Sequence, residues 1–175
     1  MKHDVMIRDE KSTDFAAIAE VTIEAFKTME ISNQTEHFVV EALRDANALT
    51  ISLVAEKDGC VVGHIAISPV TMSDGTPNWY GLGPVSVLPK FQRHGIGKAL
   101  IEEGLARLKK LDARGCCLVG HPQYYRQFGF DNADGLAHEG VPPEAFFVLP
   151  FDGETPRGFV KFHDGFKAAG GAEVD

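Results

Sequence analysis

The chain has 175 residues, 44% of them hydrophobic, and a formal net charge of −8 at pH 7. That length and apolar content suit one domain with its own core, and the acidic balance disfavours nucleic acid as a partner, because phosphate binding needs a basic surface. Three cysteines without a C-x-x-C pair suggest neither a disulfide framework nor a zinc knuckle; the adjacent Cys116 and Cys117 would point to opposite faces of a strand, so no metal site is expected.

No apolar run is long enough to span a membrane, and the opening MKHDVMIRDE holds no apolar signal segment. A cytoplasmic protein without membrane partners is expected.

Asp4 to Arg8 read as a short first strand. Thr13 and Asp14 then mark a helix start, followed by Phe15, Ile18, Thr22, Ala25, Phe26 and Met29 at the spacing of one buried helical face. Glu30 to Gln34 is polar and reads as a loop; a second helix fits Thr35 to Ala46, with Phe38, Val39 and Leu43 inward. Two β-type runs, Thr50 to Lys57 and Cys60 to Ser68, flank Asp58-Gly59, which is hairpin turn chemistry. Asp74-Gly75 marks another turn before a third run, Trp79 to Leu88.

The period then becomes helical from Ile96 to Leu111, with Gly115 as a stop signal. Cys116 to Gly120 reads as a buried strand, Gln123 to Gln127 as a short helix, and Phe146 to Leu149 and Gly158 to Phe162 as strands. The order β-α-α-β-β-β-α-β-α-β-β gives an α+β domain (α/β in looser usage) around one mixed sheet. It is expected over residues 1–166, with 167–175 a small polar tail that frays.

The stretch Val85 to Lys98, VSVLPKFQRHGIGK, joins a strand to a helix through a glycine-bearing turn. Glycines let the backbone turn tightly and approach a ligand, and a helix N-terminus offers unpaired N–H groups and partial positive charge to a phosphate. Arg93, His94 and Lys98 reverse the sign of an otherwise acidic chain locally. A P-loop would need glycine at Gln92 and Ser or Thr at Ala99, and a dinucleotide fingerprint would need glycine at Leu100. The pattern that fits is Q/R-x-x-G-x-G/A.

That pattern resembles the acetyl-CoA pyrophosphate loop of the GNAT (GCN5-related N-acetyltransferase) superfamily. The similarity runs from Met6 to about Phe166 through SLVAEKDGCVVGHIAISPV, LGPVSVLPKFQRHGIGKAL, LVGHPQYYRQFGF and VKFHDGF, and looks closest to a YhbS-like bacterial subgroup. It implies a GNAT fold whose sheet splays at the strand ending near Val87, a feature with which Pro84, lacking an N–H, agrees. It further implies that Val85, Ser86 and Val87 pair with the pantetheine arm, and that Gln92, Arg93, His94, Gly95, Ile96, Gly97 and Lys98 form the pyrophosphate loop.

Tyr125 matches the tyrosine of the family's F-Y-x-x-x-G-F ending. A phenol there can protonate the departing CoA thiolate, and the Val87 N–H is the natural donor to the tetrahedral oxyanion. The resemblance departs at Gly120-His121-Pro122-Gln123, which is short and holds a proline where many members have a longer helix. The general base stays open among Glu24, Glu30, Glu36, His64, His121 and water. Phe26 and Met29 can line the acceptor site or simply pack. The function implied is acetyl transfer from acetyl-CoA to a primary amine of a small molecule, peptide or protein; the alternative is a non-catalytic acyl-CoA-binding or sensing module. A homodimer is compatible with either.

Overall fold

A computed structural model describes residues 5–27, 29, 32 and 34–168. They group into two units, one drawn from Met1–Ile67, Gly83–Gly104 and Asp164–Asp175, the other from Ser68–Leu82 and Leu105–His163.

In the first unit, β1 (Val5–Asp9) pairs antiparallel with β2 (Ile51–Lys57), which pairs antiparallel with β3 (Cys60–Met72). β2 and β3 close through Asp58 and Gly59 at φ 52° and 80°, the left-handed pair a two-residue hairpin requires. β4 (Trp79–Val87) follows β3 in the sheet order.

Helices α1 (Phe15–Phe26) and α2 (Glu36–Asp45) cover one face of this part of the sheet. Ile18 and Val40 bury there against Val54 and Ala66. The other face takes the first half of α3 (Ile96–Lys110), where a Cβ on Gly104 would come within 2.9 Å of Ile67. Strand alternation therefore points Gly63, Ile65 and Ile67 to α3, and His64 and Ala66 to α1 and α2.

The start of α1 lies at the expected Asp14, which is buried; its carboxylate accepts from Arg8 at 2.8 Å and from the Lys11 amide at 2.7 Å. Those bonds, the Arg8 one above all, hold its carboxyl below the usual range. Phe15, expected on the buried face, is instead 38% exposed, with the Arg44 guanidinium 3.9 Å above its ring; Val21 and Val40 complete the core in its stead.

In the second unit, β5 (Gly115–Val119) runs parallel to β4 over Trp79–Gly81 and antiparallel to β7 (Phe146–Pro150). The short β6 (Leu136–His138) pairs with β8 (Gly158–Phe162), which also pairs with Val70–Met72 of β3. Met72, Trp79, Cys117, Phe146 and Val160 share its core. Parallel β4–β5 among antiparallel neighbours makes the sheet mixed, as expected.

Two expectations shift. α3 ends at Lys110 and Asp112 takes the left-handed turn (φ 61°), so Gly115 is not the helix stop. It is glycine because a Cβ there would lie 2.4 Å from the Trp79 ring. The short helix of residues 123–127 is a 3-10 turn at Tyr125–Phe128. Lys167 closes another 3-10 turn, Asp164–Lys167, and the rest of the expected tail, 169–175, lies outside the described residues. Among those described, no helix is long and apolar enough to cross a membrane.

Candidate active site

The strand-to-helix segment lies in the first unit, and Gly63 lets it approach β3. A Cβ on Gly63 would come within 3.1 Å of the Ser86 carbonyl and 3.2 Å of both Ile96 and Leu100. Leu88 N–H donates to the Val62 carbonyl at 2.9 Å. Successive N–H groups on a strand point to opposite edges, so the Val87 N–H is directed to the edge of β4 away from β3.

After β4, Pro89–Phe91 form one 3-10 turn, and the Gln92 side-chain amide donates back to the Val87 carbonyl at 3.0 Å, tying loop to strand. Arg93 and Gly95 take the left-handed φ values of 66° and 85°. The first helical bond of α3 runs from Ala99 N–H to the Gly95 carbonyl at 3.0 Å. The amides of Ile96, Gly97 and Lys98 precede it and have no acceptor within the helix, which with the helix dipole makes an anion seat. A Cβ on Gly95 would meet open space.

Around this turn lies a cavity of about 740 Å³ whose lining includes Lys57, Lys90, Arg93, His94, Gly95 and Lys98. Lys57 and Lys90 were not anticipated. Lys57 ends β2 and reaches the cavity only through the sheet, and Lys90, though inside the motif, sits at none of its defining positions. A strongly cationic hollow in a chain of net charge −8 suits a multiply charged phosphate ligand. The expected residues Val85, Ser86, Val87 and Gln92 to Lys98 are thus brought into one strand–turn–helix segment of one unit.

Tyr125 belongs to the second unit. Its ring meets Tyr124 edge-on at 5.0 Å and Phe130 at 6.2 Å, and tilts against Phe147 at 6.3 Å. Burial, then the neighbouring Tyr124, pushes its phenol up to about 12, so the hydroxyl keeps its proton through neutral pH. Tyr124 is 38% exposed. Exposed His121 accepts from the Gln123 amide through Nδ1 at 3.2 Å.

Of the base candidates in the first unit, Glu24 pairs with Lys27 at 3.7 Å and Glu36 accepts from the Ser32 hydroxyl at 2.7 and 2.8 Å; Glu30 lies outside the described residues. Phe26 is half-buried and Met29 is 46% exposed. His64 is fully buried, with Nε2 2.8 Å from the Ser52 hydroxyl. Ser52 contacts Glu10 at 2.7 Å, and Arg44 holds both Glu10 oxygens at 2.8 and 3.1 Å. Burial brings the His64 ring down to about 4 despite the Glu10 charge. Glu10 is itself held below the usual carboxylate range, because the Arg44 and Ser52 bonds outweigh the upward push of burial. Sequence reasoning named His64 alone of this chain, since only β2–β3 pairing and the docking of α2 unite the four.

Comparison with known proteins identifies the family and the fold. The sequence profile of the Acetyltransferase (GNAT) family matches residues 15–130. The uncharacterized N-acetyltransferase YhbS of Escherichia coli K12 is 33% identical over 112 residues, 63% of this chain and 67% of that protein; YjhQ from the same organism is 31% identical over 126 residues, 70% and 67%. A GNAT family acetyltransferase of Brucella melitensis, solved with acetyl-CoA, superposes with a TM-score of 0.84 at 49% identity, covering 94% of this chain and 99% of that one. YhbS of Escherichia coli, solved with CoA, gives a TM-score of 0.84 at 30% identity over 95% and 94%. The chain belongs to the GNAT family of acetyltransferases and has its fold.

Proposed function

We propose that the protein transfers the acetyl group of acetyl-CoA to a primary amine by direct attack, through a single domain spanning residues 1–166. The observation that carries this is the turn at residues 92–98, where left-handed Arg93 and Gly95 open a helix N-terminus onto a cationic cavity. The acetyl-CoA and CoA bound by the Brucella and Escherichia structures support the choice of ligand.

The pyrophosphate sits on the amides of Gly95 to Lys98, with Arg93, His94 and Lys98 adding positive potential and Gln92 bracing the loop from Val87. Main-chain groups of Val85, Ser86 and Val87 pair with the pantetheine arm. The attacking amine turns the thioester carbonyl into an oxyanion, which accepts from the Val87 N–H; Tyr125, protonated throughout the neutral range, donates to the leaving thiolate. The acceptor is a small-molecule or peptide amine, consistent with the acidic balance of the chain, and the protein works in the cytoplasm.

Two measurements test this. Acetyl-CoA at about 100 times its Kd stabilises the fold by about 2.7 kcal/mol, a rise in melting temperature of roughly 5–10 °C for a domain this size. A panel of amines, polyamines, amino acids and peptides with acetyl-CoA, followed by thiol release, then identifies the acceptor class. Stabilisation without thiol release from any amine identifies a sensing module instead, and the lack of any stabilisation contradicts the cofactor assignment.

A further inference from the structure

The chain Arg44–Glu10–Ser52–His64, half-buried at Arg44 and Glu10 and buried at Ser52 and His64, fixes where the protons sit. Glu10, gripped through both oxygens by Arg44, is a carboxylate and can only accept. Ser52 has one hydroxyl hydrogen and gives it to Glu10 at 2.7 Å. Its oxygen must then accept from His64, so the hydrogen of the neutral ring is on Nε2 and Nδ1 carries a bare lone pair. Nδ1 is buried and has no hydrogen-bond partner among the described residues. A buried acceptor of this kind calls for a donor, and a single water is the usual one.

The bare nitrogen faces away from β2. The two ring nitrogens lie on opposite sides of the imidazole, and Nε2 is turned to Ser52 of β2. β3 lies between β2 and β4, so Nδ1 is turned to the β4 side of His64. Ser86 of β4 is buried there on the face that carries α1, its hydroxyl 3.5 Å from that of Thr22. Ser86 is among the residues assigned to the pantetheine arm.

We propose that His64 is the positioning residue for proton removal: its bare Nδ1 seats the water that takes the proton of the acceptor ammonium, and Ser52, Glu10 and Arg44 hold the ring in the tautomer that leaves Nδ1 bare. This rests on the amine-transfer reading above. The ammonium N–H bond breaks onto the water oxygen, and the water passes one of its own protons to solvent while its other hydrogen stays bonded to Nδ1. The amine becomes a neutral nucleophile and the water is restored. His64 keeps its hydrogen on Nε2, and Glu10 stays a carboxylate paired with Arg44.

Two substitutions separate this role from a structural one. In His64→Asn the side-chain oxygen falls near the place of Nδ1 and remains an acceptor; in His64→Gln the amide falls near Nε2 and keeps the bond to Ser52. A merely structural histidine is replaced better by Gln, a water-seating one by Asn. With acetyl-CoA and the amine panel, His64→Gln is expected to lose about 100-fold in kcat and His64→Asn no more than roughly tenfold, with acetyl-CoA Kd by calorimetry unchanged in both. Gln equal to Asn or better overturns the proposal while leaving amine transfer standing. A wild type that binds acetyl-CoA but releases thiol with no amine overturns both. Independently of any variant, nitrogen NMR of the wild-type ring at pH 7 is expected to show hydrogen on Nε2, and hydrogen on Nδ1 overturns the proposal.

Discussion

A Cβ placed on Gly120 would lie 2.3 Å from Cε2 of Tyr125 and 2.8 Å from Cδ2. The glycine at the end of β5 is therefore the floor on which the tyrosine ring rests, and its φ is not among the left-handed values, so alanine meets no backbone strain there. Gly120→Ala forces the ring aside, with an overpacking cost of about 1–3 kcal/mol. Thiol release is expected to fall while acetyl-CoA affinity, measured by calorimetry, stays at the wild-type value. Unchanged turnover would mean that the position of the ring is irrelevant to the chemistry.

Tyr125→Phe keeps the packing against Phe130 and Phe147 and removes only the hydroxyl. Loss of a general acid costs about 10²–10⁴ in rate, so kcat is expected to drop by at least the lower figure, with Kd for acetyl-CoA and melting temperature close to wild type. Burial holds the phenol at about 12, so wild-type turnover should show no loss from tyrosine ionisation up to pH 10, as a pH–rate profile checks.

Gly95 is glycine for its backbone, since φ is 85° and a Cβ there would meet open space. Left-handed φ costs an L-residue about 1–2 kcal/mol, and β-branching worsens it. Gly95→Val is expected to leave the protein folded by circular dichroism but to weaken acetyl-CoA binding at least tenfold, because the amides that follow no longer converge and the side chain occupies the approach. Wild-type affinity would remove Gly95 from the pyrophosphate loop.

His64 gives stability a pH dependence of definite sign. Its ring titrates at about 4 in the folded protein against 6.5 unfolded, so between those values the unfolded chain binds the extra proton. Stability rises with pH across this window and is lost as pH falls through it, by about 2 kcal/mol between pH 7 and pH 5. Glu10 and Asp14, held below their usual range, add their losses at lower pH. Urea unfolding at pH 7 and pH 5 checks this: His64→Gln should show a markedly smaller difference than wild type.

What the sequence disclosed was local. The Asp58-Gly59 hairpin, the amphipathic α1 and α2 and the glycine-bearing turn each carry their signal within a few residues, because turn dihedrals and helical faces are set by near neighbours. β6 has only three residues, Leu136–His138, too few for a period to show. Phe15 has the right spacing for the core yet lies under Arg44, a partner supplied by another helix. Gly115 looks like a helix stop until Trp79, 36 positions earlier in the numbering, is seen against it. Lys57 in the cationic cavity and the Glu10–Ser52–His64 chain depend on strand pairing, which no local pattern encodes.

The most direct test is a crystal structure with acetyl-CoA bound. The expected result is the pyrophosphate on the amides of residues 95–98 and the pantetheine arm alongside Val85–Val87. Density for the coenzyme elsewhere, or an empty turn at saturating acetyl-CoA, would contradict the assignment of this segment.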